Sequence, residues 1–152
     1  MAAEASSDRI AVLGAGVMGA GIAQVFAQFG FAVVQTDVSE AVLTRSKAAM
    51  RRNLEGLVAK GKLAAEEVER ILGRIRQTTV LEDAAGGATF VVEAVLEDLE
   101  TKKRVFAELD RACAPETVLA SNTSILSPTE IAAATKRPDR CIGMHFMNPV
   151  PV

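Results

Sequence analysis

Short apolar runs alternate with amphipathic stretches along the chain, and the two periodicities predict alternating strands and helices. Ile10 to Leu13 reads as a strand, and Val17 to Phe29 as a helix that buries Met18, Ile22, Val25, Phe26 and Phe29. Gly30 supplies a left-handed stop for that helix. Ala32 to Thr36 is the second strand. A helical pattern from about Ser39 to Lys60 breaks at Gly61, and a second piece from Ala64 to Ile75 carries Val68, Ile71, Leu72 and Ile75 on one face. Together they predict a helical hairpin inserted between strands. Thr78 to Val80 predicts a short strand and Thr89 to Val95 a buried one. Glu97 to Ala114 predicts a helix striped by Leu99, Val105, Phe106 and Leu109 and ended by Pro115. Val118 to Ala120 is a further strand. Ser127-Pro128-Thr129-Glu130 is a capping box opening a helix to about Thr135, and Cys141 to Met144 is the last strand. Such alternation predicts an α/β fold, a mostly parallel sheet with helices on both faces. One domain is expected over residues 9–152, behind a disordered tail at 1–8.

Composition narrows the function classes. The chain has 152 residues, enough for one domain with a real core, and a net charge of −2, which implies no affinity for nucleic acid or membrane. Cys113 and Cys141 are single and far apart, one in a helical and one in a strand pattern. They read as buried thiols in a reducing compartment, with no disulfide and no metal cluster. The first residues lack both a signal core and an arginine-rich leader, so cytoplasm is the expected location.

The segment Gly14-Ala15-Gly16-Val17-Met18-Gly19 carries the first chemistry. It sits between a strand and a helix, and Asp37 ends the next strand about 20 residues on. That context makes it the dinucleotide fingerprint of a Rossmann-type, doubly wound fold. Gly14 allows the tight turn, Gly16 lets backbone approach a pyrophosphate, and Gly19 lets the helix pack close. The helix N-terminus faces the phosphates. Asp37 suits the ribose hydroxyls and repels a 2′-phosphate, and Val38, Ser39 and Glu40 place no cation beside it, so NAD is expected over NADP. A Gly-rich turn of another α/β protein, and Asp37 as a plain helix cap, are the bland readings. Ser39 can fill the capping role instead.

Ligands of open parallel sheets lie beyond the carboxyl ends of the strands. Each polar motif falls at such an end: the glycine turn, Asp37, the stretch Glu93 to Glu97, Ser121 to Ser124, and His145 to Pro149. His145 is the only histidine. It is either a structural residue or an acid–base group, and its neighbours favour the latter. Ser124 suits a substrate hydroxyl or the nicotinamide, or merely caps a turn, and Asn122 has the same ambiguity.

The sequences GAGVMGAGIA from Gly14, VEAVLE from Val92, SNTS from Ser121 and HFMNPVP from His145, in this order, resemble the 3-hydroxyacyl-CoA dehydrogenases, the bacterial 3-hydroxybutyryl-CoA dehydrogenases above all. The resemblance covers Arg9 to Val152. It implies NAD-dependent oxidation of an L-3-hydroxyacyl-CoA to the 3-ketoacyl-CoA, in fatty-acid or short-chain acyl-CoA metabolism. It implies His145 as catalytic base and Ser124 as hydroxyl partner of substrate and nicotinamide. Glu97, Lys102 and Asn148 match positions lining the cofactor site, with Asn122 in the same loop. Lys60 matches a CoA contact, and Asn53 stands where some relatives carry a small hydroxyl residue. The basic set Arg45, Lys47, Arg51, Arg52, Lys60 and Lys62 is either a solvated helix face or a CoA arm.

In the family, a glutamate soon after the histidine motif orients the imidazole. A helical C-terminal domain then supplies an asparagine, part of the acyl-CoA pocket and the homodimer interface. This sequence stops at Val152. It therefore reads as the cofactor domain of such an enzyme, expected to bind NAD and to turn over poorly alone. The rival readings are a related sugar-acid 3-dehydrogenase and a stand-alone NAD-binding or scaffold domain.

Overall fold

Alternating apolar residues in the first strand feed two cores. In a computed structural model describing residues 8–151, β1 (Arg9–Leu13) turns Ile10 and Val12 to one face and Ala11 and Leu13 to the other. Of the tail expected at 1–8, only residue 8 lies among the described residues. The further strands are β2 (Ala32–Thr36), β3 (Ile75–Thr78), β4 (Phe90–Glu93), β5 (Val118–Ser121) and β6 (Cys141–Gly143). They form one sheet in the order β3-β2-β1-β4-β5-β6, with every neighbouring pair parallel. The direction of winding reverses between β1 and β4, the switch point where a doubly wound sheet opens a crevice.

The first face is covered by α1 (Val17–Gln28), α2 (Glu40–Ala59) and α3 (Ala65–Gly73), which bury Ile22, Met50, Leu54, Val68, Ile71 and Leu72. Helices α2 and α3 are the expected hairpin, lying between β2 and β3. The second face is covered by α4 (Leu81–Ala85), α5 (Leu99–Ala112) and α6 (Pro128–Ala132), through Ala84, Ala85, Phe106, Leu109 and Ile131. Ser39 caps α2 and Asp98 caps α5, each accepting the N–H of the residue three further on. Ser127 caps α6 in the same way.

Several boundaries differ from the expectation. Ile75 shares the buried stripe of Val68, Ile71 and Leu72, yet it reaches that core as the first residue of β3, paired with Val33. The third strand is therefore Ile75–Thr78, not 78–80. Phe29 is 69% exposed because α1 ends at Gln28, while Phe26 packs edge-on against Phe31 and Phe146. The one-turn α4 and a 3₁₀ turn at Pro138–Arg140 are too short to show a period. Strand β4 stops at Glu93, and α5 starts at Leu99, so Glu97 stands in the loop between them.

That loop is tied to the sheet by a buried ion pair. Glu93 ends β4 and is fully buried; Lys102 on α5 is 1% exposed. Lys102 Nζ lies 2.5 Å from Glu93 Oε1, which also accepts the Val95 N–H at 2.8 Å. Glu93 Oε2 accepts the Ser121 hydroxyl at 2.6 Å, joining the ends of β4 and β5. Removing one partner of such a pair strands a charge. Lys102→Met is expected to lower the unfolding free energy by about 3–5 kcal/mol in a urea titration. Adding Glu93→Gln to it should recover most of that loss, because no buried charge is then left unpaired.

Candidate functional site

The glycine turn is built by close approach. Gly14 has φ +101°, and a Cβ there would lie 2.4 Å from the Ala94 carbonyl oxygen. A Cβ on Gly19 would lie 2.0 Å from the Gly14 carbonyl oxygen. Gly16 differs: a Cβ there would meet nothing within 4 Å. Gly16 caps α1 without a side-chain hydrogen bond, and the first turn carries no acidic residue. The helix therefore presents its positive end to open space, a fit for a pyrophosphate.

Asp37 is not free. Its Oδ2 accepts the Ala15 N–H at 3.0 Å and its Oδ1 the Ser39 N–H at 3.0 Å, so it braces the glycine turn against the end of β2. A carboxylate still has acceptor sites left after two such bonds. Asp37 also lines a cleft of about 730 Å³ together with Gly14, Gly16, Val17 and Met18. Thr79, Leu81 and Arg104 line it as well. The residues after Asp37 supply no cation. Arg104, on α5, lines the same cleft. Its signal was the helical face Thr101, Arg104, Val105 and Glu108, all of which line the same cleft.

Ser124 and His145 lie outside that cleft, on loops after β5 and β6, and they meet: Ser124 Oγ is 3.2 Å from His145 Nε2. Asn122 joins the two loops, its Oδ1 accepting the Phe146 N–H at 2.8 Å. Its side chain is thus a brace between loops. The tight Thr123 hydroxyl contact to Glu97 Oε1 is accompanied by N–H donation from Ser124 at 2.9 Å and Ile125 at 3.4 Å. Glu97 Oε2 lies 3.3 Å from Lys102 Nζ. Lys102, expected to line the cofactor site, is buried between two carboxylates. Asn148 is exposed and precedes a cis peptide bond to Pro149.

A second cleft of about 260 Å³ lies between α1, α2 and the chain end, lined by Gln24, Arg52, Asn53, Lys60, Pro149 and Pro151. It brings together Asn53 and Lys60, and Asn53 Nδ2 donates to Gln24 Oε1 at 3.5 Å. Ser124 is not part of it. The basic set of α2 divides: Arg51 turns to α3 and pairs with Glu69 at 2.5 Å, whereas Arg52 and Lys60 face the cleft.

Burial pushes the Glu97 carboxyl up, but the Thr123 hydroxyl, the Ser124 amide, Lys102 and the Ile125 amide outweigh it and hold the group at about 2, against an ordinary 4.5. A folded value below the unfolded one contributes stability that is present above the unfolded value and lost as pH falls through the folded one. Melting temperatures across the window from about 4.5 down to about 2 should therefore fall more steeply for the wild type than for Glu97→Gln.

The chain is similar to proteins of one family. A family model described as 3-hydroxyacyl-CoA dehydrogenase, NAD binding domain, matches residues 9–152. A probable 3-hydroxybutyryl-CoA dehydrogenase of Bacillus subtilis is 50% identical over 148 residues, 95% of this chain and 50% of its own length. A 3-hydroxyadipyl-CoA dehydrogenase of Escherichia coli is 46% identical over 94% of this chain and 30% of its own length. The crystal structure of FadB2 from M. tuberculosis superposes with a TM-score of 0.91 at 45% identity, over 95% of this chain and 51% of that one. A (S)-3-hydroxybutyryl-CoA dehydrogenase structure from Ralstonia eutropha gives 0.92 at 38% identity, over 97% and 52%. This chain thus spans about half the length or less of these relatives. With the reversed parallel sheet, the glycine turn and the serine–histidine pair in place, the chain belongs to the 3-hydroxyacyl-CoA dehydrogenase family, as its NAD-binding domain.

Proposed function

We propose that this chain is the cofactor-binding part of an enzyme that interconverts an L-3-hydroxyacyl-CoA, 3-hydroxybutyryl-CoA foremost, and the 3-ketoacyl-CoA. The observation that carries the reading is the contact of Ser124 Oγ with His145 Nε2 at 3.2 Å on the ligand edge of an NAD-binding sheet. Nicotinamide supplies the hydride chemistry when bound. The protein must then hold the C3 hydroxyl and take its proton. A neutral His145 accepts that proton at Nε2, and Ser124 Oγ fixes the hydroxyl beside it. Gly14 to Gly19 and Asp37 hold the dinucleotide at the other end of the same edge.

The acyl-CoA partner fits the smaller cleft. Arg52 and Lys60 offer cations to phosphates, and Asn53 and Gln24 offer polar contacts. Among the described residues no helix is long and apolar enough to cross a membrane. Cys113 and Cys141 are both free, the first buried and the second half-buried.

Titration calorimetry on this chain tests the cofactor reading. NAD should bind more tightly than NADP. Gly16→Val should abolish binding with an unchanged circular dichroism spectrum, since its side chain would fill only the open space at the helix end. Asp37→Ala should weaken NAD by about 1.5–3 kcal/mol for each charged hydrogen bond lost and narrow the preference over NADP. Equal affinity for the two dinucleotides in the wild type would refute the role of Asp37.

Turnover tests the acid–base reading. In a protein containing this chain and the second half found in its relatives, His145→Gln should slow acetoacetyl-CoA reduction by roughly 10²–10⁴ while NADH affinity changes little. Absorbance in the NADH band reports the rate, and near-wild-type turnover would remove His145 from the mechanism.

A further inference from the structure

Helix α1 continues past the glycine turn with one more glycine. Gly21 is buried inside the helix, two residues beyond Gly19. A glycine there costs stability relative to alanine, so its place calls for a close neighbour. That neighbour is the segment after β6. A Cβ on Gly21 would lie 2.9 Å from Val150 Cβ, 3.2 Å from Val150 Cγ2 and 3.4 Å from Pro151 Cδ. The Cβ of a β-branched residue is fixed to its own backbone and cannot swing aside. A side chain at position 21 must therefore move the backbone of the segment itself.

The same segment carries the histidine. Of residues 145–150 only Phe146 and Val150 are half-buried, and both pack against the first core. Phe146 meets Phe26 of α1 edge-on, with ring centroids 6.4 Å apart. His145, Met147, Asn148 and Pro149 are exposed. Toward the sheet, the Met144 N–H donates to the Ser121 carbonyl and the Phe146 N–H to Asn122 Oδ1, each at 2.8 Å. The backbone around His145 is thus held from two sides, by the end of β5 and by α1. The imidazole touches Ser124 Oγ at 3.2 Å. We propose that Gly21 is a positioning residue for His145: its missing side chain leaves the seat into which Val150 and Pro151 close, and that seat fixes how the segment 145–151 leaves β6. The inference rests on reading Ser124 and His145 as the acid–base pair. One helix then serves both ends of the ligand edge, its N-terminus the dinucleotide and its body the histidine. With a side chain at position 21 the segment lifts, the Phe146 ring shifts on Phe26, and Nε2 leaves the Ser124 hydroxyl. Misplacement on the order of 1 Å is enough to impair a proton transfer.

The only histidine in the chain makes the test direct, because a long-range proton–nitrogen spectrum shows a single imidazole. Ser124→Ala should move the Nε2 resonance, and Gly21→Ala should move it in the same direction. Adding Val150→Gly to Gly21→Ala exchanges the two sides of the contact. It should bring the resonance back toward wild type, which a change confined to the helix would not do. Val150→Gly alone empties the seat without touching α1; it should also move the resonance, and it decides the matter if Gly21→Ala does not fold. NAD affinity by calorimetry should stay near wild type in every variant. An unmoved imidazole in Gly21→Ala, or in Val150→Gly where the first is unfolded, overturns the proposal. So does a double variant no nearer to wild type than Gly21→Ala. An imidazole shift that comes with a loss of NAD affinity of about tenfold or more overturns it as well, because the disturbance then lies in α1 and not in the segment. An unmoved imidazole in Ser124→Ala overturns the pair itself, and this separates failure of the underlying reading from failure of the role of Gly21.

Discussion

One buried ammonium organises the edge of the sheet that carries Ser124. Lys102 Nζ is withdrawn from water and set between Glu93 and Glu97. A charge in such a place is tolerated only when paired and hydrogen-bonded, which makes its position close to obligatory. Through Glu93 the pair reaches the Val95 amide and the Ser121 hydroxyl, so the ends of β4 and β5 are held together beyond their backbone ladder. Through Glu97 it reaches the loop that carries Ser124. The interior charge and the exposed serine thus belong to one connected structure.

The cofactor turn is supported by different means. Its backbone is packed so closely that side chains are excluded at Gly14 and Gly19. Beneath it lies a neutral polar network. Gln35 Nε2 donates to the Gly14 carbonyl at 3.4 Å, and Gln35 Oε1 accepts from Ser46 at 3.0 Å and Gln77 at 2.9 Å. Gln77 also donates to the Leu43 carbonyl at 2.9 Å, linking β3 to α2. Every buried polar side chain here is satisfied, so the network stiffens the turn without placing a net charge under it. The electrostatics of the turn are left to the end of α1 and to Asp37.

The two clefts differ in their lining. The larger, beside the glycine turn, is walled by Val17, Val38 and Leu96, three of the most exposed apolar side chains of the chain. Exposed apolar residues around a polar turn mark a place where a ligand face is covered. The smaller cleft is mixed: Arg52, Lys60, Gln24 and Asn53 share it with Leu57, Pro149 and Pro151. The serine–histidine pair belongs to neither, and stands on the loops after β5 and β6.

The sequence by itself determined the alternation of strands and helices, the hairpin, the glycine turn and the placing of each polar motif at a strand end. These are local properties, set by hydrophobic period and by residues with special backbone demands. Tertiary structure decided the rest. Ile75 carried the right hydrophobic phase for α3 but found its core contact in β3, because a stripe records which side is buried and not which element buries it. Phe29 was left outside by a helix one residue shorter. Arg104 is remote in sequence from Asp37, and only the packing of α5 puts both on one cleft. Glu93 and Glu97 read as one strand-end motif, and Glu97 and Lys102 as positions lining the cofactor site, with nothing local to pair them. Their pairing depends on burial, and burial is a property of the assembled sheet, which no local pattern of charges contains.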